Sequence, residues 1–322
     1  MSKKIRWGIL GTGMIAKKFA KDLKFTDLGE LHATGSRSQD TANLFSSEFG
    51  GKAFNSYESL INDSEIDAIY NPLPNGLHAE WSIKAMNAGK HVLCEKPMAR
   101  NISEVEEMFK VSEQTGKVLI EGFMYRAHPA IQKLIETVRN GTLGKVKLIR
   151  SNFSFTREVM DSDARYKAEH AGGGLMDVGC YCVNLARAIM GKEPSETSCI
   201  AHIHDKGVDD YAAGLLNFNG ETLMTFTCGM TVMNNWTTYI SGDEGEIEID
   251  APWFCDGTFK LTKGEQSEVI EAKTDKPMYA LEAEAFSKAV AGGEPWITKE
   301  DTLGNMRVLD QLRHQSGVPV PI

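Results

Sequence analysis

Ile5-Arg6-Trp7-Gly8-Ile9-Leu10-Gly11-Thr12-Gly13-Met14-Ile15-Ala16 is the stretch on which the fold turns. Residues 5–10 read as a buried strand, and residues 14–23 carry a helical pattern. Between them lies G-x-G-x-x-A, in the strand–turn–helix setting that a dinucleotide-binding turn requires. Gly11 permits the tight turn, and Gly13 lets backbone approach a pyrophosphate. The third position, Ala16, needs a small side chain for close helix–strand packing. Met14 and Ile15 open the helix, whose unpaired N–H groups and positive dipole end face the phosphates. Gly11, Gly13, Met14 and Ile15 are therefore cofactor-binding candidates.

Outward from this turn the same alternation repeats. Residues 31–35, 68–71, 91–94 and 118–121 read as strands, with helices over 78–88 and 104–114; Ser103 with Glu106 reads as a capping box before the second helix. Such alternation predicts a parallel, doubly wound sheet. After about residue 123 the pattern changes. One helix (129–139) and a glycine-led helix interleave with strands at 146–155, 210–218, 222–230, 236–241 and 245–249, and Asn219-Gly220 supplies a tight hairpin turn. The expected fold is thus α/β: an N-terminal Rossmann sheet over residues 1–122, then a C-terminal α+β domain over 123–322 with an open, mostly antiparallel sheet for substrate binding and oligomerisation. Helices over 279–291 and 299–314 pack back onto either domain.

A chain of 322 residues, 42% apolar and 25% charged, has the composition of two ordinary globular domains. The net charge of −9 offers no positive field for phosphate backbones or anionic lipid, which argues against nucleic-acid and membrane partners. No apolar run approaches the roughly 18 residues of a membrane span, and the basic start Met1-Ser2-Lys3-Lys4 leads into too few apolar residues for a signal peptide. The six cysteines include no Cys-x-x-Cys, so reduced thiols and a cytoplasmic location are expected. No metal is expected: His202-x-His204 puts two imidazoles on one strand face, but the segment also reads as an edge strand before a turn.

The chemistry gathers in three places. The second strand ends in Gly35-Ser36-Arg37-Ser38, where an NAD enzyme would carry Asp or Glu for the ribose hydroxyls. Guanidinium and hydroxyl donors at Ser36 and Arg37 suit a 2′-phosphate instead, favouring NADP, with NAD as the alternative; otherwise Arg37 is a solvated loop cation. Cys94-Glu95-Lys96-Pro97 follows a strand, so Lys96 emerges at its carboxyl end, and Pro97 biases it toward an extended conformation. Gly172-Gly173-Gly174 precedes a helix to about residue 190, on which Asp177 and Tyr181 share a face with Asn184 beyond. A carboxylate and a phenol so placed can hold a substrate hydroxyl and exchange its proton. Tyrosine's reference pKa of about 10 is high for a base, and a nearby ammonium such as that of Lys96 would favour tyrosinate. The structural alternative is Asp177 as a helix cap and Tyr181 as packing. Phe155, Tyr166 and Trp236 are aromatic candidates for the apolar face of a sugar, or core.

Trp7–Gly13, residues 72–78 (Pro-Leu-Pro-Asn-Gly-Leu-His), residues 88–97 (Ala-Gly-Lys-His-Val-Leu-Cys-Glu-Lys-Pro), residues 125–129 (Tyr-Arg-Ala-His-Pro) and the glycine helix to Tyr181 run in one order along the chain. In this they resemble the glucose–fructose oxidoreductase / inositol dehydrogenase / MocA family, over essentially the whole length. That family commonly has His four residues after the Asp. Tyr181 is similar instead to the subgroup resembling dihydrodiol dehydrogenase and NADP-dependent D-xylose dehydrogenase, which argues against an inositol substrate. The resemblance implies an NAD(P)-dependent oxidoreductase acting on a sugar or sugar-derived substrate. On matching positions it implies Lys96 and Tyr181 as catalytic and Asp177 as assisting the substrate hydroxyl. Leu73, Asn75, His78 and Glu95 would line the nicotinamide side, and Tyr125 and Arg126 would border the same cleft, Arg126 alternatively as an ion-pair partner. Two other outcomes stay open: dihydrodiol dehydrogenase-like activity, and a regulator of the same fold that binds dinucleotide without turnover. A homodimer or homotetramer through the exposed sheet is expected.

Overall fold

The computed structural model describes residues 4–321. Residues 1–3, which carry most of the basic start, lie outside the described residues. The chain divides into two compact units: residues 1–99, 103–127 and 275–299 form one, and residues 100–102, 128–274 and 300–322 the other.

The first unit runs β1 (Ile5–Leu10), α1 (Met14–Asp22), β2 (Gly29–Gly35), α2 (Gln39–Phe49), β3 (Lys52–Phe54), α3 (Tyr57–Ile61), β4 (Ala68–Asn71), α4 (His78–Asn87), β5 (His91–Glu95), α5 (Ile102–Thr115) and β6 (Leu119–Gly122). Its sheet is wholly parallel, in the order β3-β2-β1-β4-β5-β6. The order reverses between β1 and β4, the switch point at whose carboxyl side such sheets bind ligands. β1 and β4 are apolar and buried almost throughout, as strands covered by helices on both faces must be. The segment 39–61 gave no sequence signal: α2 buries only Ala42 and Phe45, too few to set an apolar period, and β3 is three residues long. The capping-box reading is corrected too, because α5 starts at Ile102 and leaves Ser103 inside its first turn.

Of the two C-terminal helical segments left open between the domains, 279–291 falls in residues 275–299, which cluster with this unit, and 299–314 falls almost wholly in residues 300–322 of the other. The first of these helices, Met278–Val290, packs in the first unit through aromatic contacts: Phe286 lies 4.9 Å from Trp7, Trp7 lies 5.2 Å from Phe19, and Phe19 stacks on Tyr70 at 3.8 Å. Aromatic pairs in such geometries add to the large area that each ring buries.

In the second unit, α6 (Pro129–Arg139) and β7 (Val146–Ser154) precede α7 (Cys180–Met190). The strands β8 (Glu196–Ile203), β9 (Asp209–Phe218), β10 (Thr222–Gly229), β11 (Thr238–Gly242), β12 (Glu246–Ile249), β13 (Thr258–Lys263) and β14 (Gln266–Glu271) follow, then α8 (Met278–Val290), already placed, and α9 (Lys299–Ser316). Eight strands form an open sheet in the order β14-β13-β12-β11-β7-β10-β9-β8. Neighbours are antiparallel except β7 and β10, which run parallel. β8 is an edge strand, as its segment suggested. β13 and β14 escaped the sequence reading, β14 because it is exposed nearly throughout and shows no alternation. β9 and β10 alternate buried and exposed, so one face packs and the other is open. Asn219 and Gly220 between them take φ of 58° and 72°, the left-handed pair of values that Asn-Gly tolerates best.

Candidate active site

At the cofactor turn, Gly11 has φ 86°, and a Cβ there would stand 3.2 Å from the Leu73 side chain, so the position is strained for any other residue. A Cβ on Gly13 would meet nothing within 4 Å, which leaves its backbone open to a ligand. Gly13 is also the N-cap of α1 and provides no side-chain hydrogen bond. The first N–H groups of the helix are thus left for an anion. Ala16 is buried, as close helix–strand packing requires, and Met14 is 65% exposed. These features fit a dinucleotide pyrophosphate.

At the end of β2, Ser36 is buried and its hydroxyl lies 2.5 Å from the Thr41 hydroxyl, while Ser38 N–H donates to it at 3.4 Å. Ser36 is therefore committed to shaping its loop. Arg37 is exposed, makes no hydrogen bond or ion pair among the described residues, and places its charge near the Tyr57 hydroxyl.

The loop after β4 and the end of β5 are tied together by His78. Its Nε2 lies 2.6 Å from Leu73 O and its Nδ1 2.9 Å from Pro97 O. Burial pushes the imidazole down to about 4, so the ring is neutral near pH 7 and donates through one nitrogen only. With both nitrogens against backbone carbonyls, His78 braces the segments that carry Leu73 and Lys96. Asn75, between them, is half-buried.

Glu95 is buried. Its Oε1 accepts from the Tyr70 hydroxyl at 2.5 Å and its Oε2 from Lys96 N–H at 3.3 Å. Lys96 follows, half-buried, at the carboxyl end of β5 where the sequence placed it. After β6, Tyr125 is fully buried with its ring 6.1 Å from Phe123, and Arg126 is half-buried beside it.

In the second unit, Asp177 lies in a π-helical turn, Leu175–Gly179, that leads into α7. Such wider turns recur at functional sites and have no simple sequence signature. Tyr181 follows on α7, 5% exposed, with its ring 5.3 Å from Phe153 and 5.4 Å from Trp253. Trp236 joins the same aromatic group through Phe153 at 5.5 Å and Phe254 at 5.6 Å, and its Nε1 donates to Ser154 O at 2.6 Å. Phe155 instead packs with Tyr166, Val208 and Met230, apart from Tyr181's group.

Three supporting residues were missed by sequence reasoning. Arg165 Nε donates to Asp177 Oδ2 at 2.7 Å, and its Nη1 donates to Asp163 Oδ1 at 3.2 Å. Asp177 is thus an ion-paired carboxylate rather than a helix cap. Asp209, fully buried, accepts Leu175 N–H at 2.6 Å and so holds the start of the helical run that carries Asp177 and Tyr181. Burial raises its carboxyl to about 6. Tyr70 holds Glu95. Each acts across long sequence separations, which leaves no periodicity or spacing to find it by.

The two histidines weighed for a metal diverge. His202 Nδ1 lies 2.6 Å from Asp210 Oδ1, whereas His204 Nδ1 accepts Lys206 N–H at 3.2 Å. Among the described residues, His32, Asp63 and Glu65 bring ligand atoms together, but the Lys52 ammonium bonds both carboxylates.

A parallel sheet in this strand order, with an uncapped glycine turn at its switch point and a second, open-sheet unit, defines the class: a dinucleotide-binding protein with a Rossmann sheet. Comparison with known proteins is specific within that class. Residues 5–123 match the profile described as the oxidoreductase family with NAD-binding Rossmann fold, and residues 131–248 match the GFO/IDH/MocA C-terminal domain. The chain belongs to the GFO/IDH/MocA oxidoreductase family. It is 34% identical over 311 residues, 95% of each chain, to a D-xylose 1-dehydrogenase (NADP(+)) of Haloferax volcanii. It is 34% identical over 253 residues, 77% of this chain and 75% of the relative, to the trans-1,2-dihydrobenzene-1,2-diol dehydrogenase of Mus musculus. Among solved structures, the 3-ketoreductase KijD10 of Actinomadura kijaniata, in complex with NADP and TDP-benzene, superposes with a TM-score of 0.89 at 28% identity, covering 97% of this chain and 98% of that one.

Proposed function

We propose that this chain is an NADP-dependent oxidoreductase that moves hydride between the nicotinamide and a CH–OH carbon of a neutral sugar or sugar-derived substrate, as an aldose dehydrogenase or ketosugar reductase. The observation that carries this reading is the family match across both units, and by resemblance Lys96, Asp177 and Tyr181 are assigned the acid–base and substrate-orienting roles. Bound dinucleotide supplies the hydride acceptor in oxidation and the donor in reduction. Gly11, Gly13, Met14 and Ile15 hold its pyrophosphate, and Arg37 pairs with the 2′-phosphate. Ser36 shapes that loop. Leu73, Asn75, His78, Glu95 and Arg126 serve the nicotinamide side, His78 by bracing its neighbours.

Lys96 holds the reacting oxygen and Tyr181 takes its proton on oxidation or returns it on reduction, while the Arg165-paired Asp177 orients the substrate hydroxyl. Tyr125 and Trp236 bound the substrate. Phe155, the remaining substrate candidate, stands in a separate cluster with Tyr166, Val208 and Met230. Residues 1–122 supply the dinucleotide site, and residues 123–322, apart from the stretch 275–299 that clusters with the first unit, supply substrate binding and oligomerisation. All six cysteines are buried, and we assign the chain to the cytoplasm. Ile200, Leu215, Leu223 and Leu148, about half exposed or more, lie on β8, β9, β10 and β7 at the open face of the second unit's sheet, with Leu148 and Leu223 directly paired. We assign that face to a second copy of the chain, as a homodimer or dimer of dimers.

A spectrophotometric panel of aldoses, ketosugars, anhydrosugars and dihydrodiols with NADP and NADPH tests the reading. NADP-linked turnover of neutral polyhydroxylated compounds is expected. Turnover confined to dihydrodiols selects the second reading, favoured by the mouse relative, and turnover of carboxylates alone overturns the substrate class. Tight cofactor binding without turnover on any member would make the chain a regulator.

A further inference from the structure

Behind the Lys96 segment lies a carboxyl group that the proposed chemistry does not use. Glu282 sits on α8, fully buried, and neither of its oxygens has a hydrogen-bond partner among the described residues. Its Oε1 stands 3.4 Å from where a Cβ on Gly122 would be, so the missing side chain of Gly122 makes the room for it. Gly122 pairs with Glu95 across β5 and β6, which puts the two carboxyl groups at one end of the sheet.

Their surroundings differ. Glu95 accepts a hydrogen bond at each oxygen, from the Tyr70 hydroxyl and from Lys96 N–H, as an ionised carboxylate does. A buried carboxyl without donors is not sustained as an anion and takes a proton instead. Burial, with the Glu95 charge added, pushes Glu282 well above the ordinary carboxyl range. No other neighbour reverses this. Tyr70 and Tyr279 are themselves pushed well up and stay neutral. On α1, Lys18 lies over the Tyr279 ring at 5.4 Å, and Asp22 accepts the Tyr279 backbone N–H. The segment Met124–Ala127, which packs on α8, carries Arg126. Further along α8, β2 and the residues before it meet Ser287, whose hydroxyl lies 3.2 Å from Leu28 O.

We propose that Glu282 and Glu95 form a carboxylic acid–carboxylate pair holding one proton behind Lys96, with Glu282 the protonated, positioning member. A single negative charge at the end of β5 then rests on Glu95, which keeps the Lys96 backbone anchored. A second charge would set two carboxylates against each other there. The functional meaning rests on the reading of Lys96 as catalytic, but the protonation state is measurable without turnover, so the two fail separately.

Infrared spectroscopy of the whole protein at mildly alkaline pH should show the C=O stretch of a protonated carboxylic acid that Glu282→Gln lacks. The unfolding equilibrium gives the second readout. A group with a raised folded pKa stabilises below its unfolded value, 4.5 here, and loses that contribution as pH rises. Above that pH the unfolding constant of the native chain should therefore rise relative to that of Glu282→Gln, by up to about tenfold per pH unit. Absence of the protonated band from the native protein, which needs no variant to observe, overturns the proposal. So do a band that survives Glu282→Gln and parallel pH profiles of unfolding.

Discussion

Arg37 is the residue on which cofactor choice is proposed to rest. It is exposed beside a loop that has no acid for the ribose hydroxyls, and its guanidinium suits a 2′-phosphate. Arg37→Asp should shift discrimination from NADP toward NAD by about 1–3 kcal/mol in binding, the scale of a charged hydrogen bond. An unchanged preference would remove Arg37 from the site. Arg165 makes the complementary test in the second unit, because it holds the Asp177 carboxylate at 2.7 Å. Arg165→Met should lower kcat/KM roughly tenfold to a hundredfold, again the value of a charged hydrogen bond, while leaving NADP affinity intact. A normal kcat/KM would mean that Asp177 keeps its orientation without the pair. Of these two residues only Arg37 was legible in the sequence, since it sits at a fixed offset from a strand end. Arg165 reaches Asp177 across a loop and a glycine run, and no local pattern announces it.

The helical run bearing Asp177 and Tyr181 begins on a buried acid. Asp209 accepts Leu175 N–H, and a Cβ on Gly173 would clash with its carboxyl, so the glycine run is the space that the acid occupies. Its folded pKa is raised from 3.8 to about 6 by burial. Stability from such a group is present below 3.8 and lost as pH rises through about 6. Asp209→Asn should therefore gain on the native chain across that window, by up to about 3 kcal/mol, and run parallel to it above. Urea midpoints measured at several pH values would show this, and a constant offset at every pH would contradict it. Elements with strong apolar patterns, such as β1, β4, α4 and α6, were readable to within a residue or two. The weakly patterned α2, β3 and α3 were not, nor was the π-helical turn, because backbone hydrogen-bond offset leaves no mark on composition.

At the scale of the whole molecule, two-unit organisation was legible as a change from strand–helix alternation to alternating strands. The return of α8 to the first unit was not, since an amphipathic helix does not name the surface it will cover. The open face of the second sheet carries Leu148, Leu215 and Leu223, each near half exposed. Leu215→Asp with Leu223→Asp should convert the proposed homo-oligomer to monomers in sedimentation velocity, with little change in Tm because neither side chain packs in the core. An unchanged sedimentation coefficient would move the interface elsewhere. In the proposed mechanism Tyr181 exchanges the proton of the reacting oxygen and Lys96 holds that oxygen by a hydrogen bond. The most direct test of that mechanism is kcat of Tyr181→Phe with NADP at saturation, beside the affinity of the variant for NADPH. The account predicts unchanged affinity and a loss in kcat on the order of 10²–10⁴-fold, the scale of a general acid–base group. Turnover near that of the native enzyme would contradict it and leave Tyr181 a packing partner of Phe153 and Trp253.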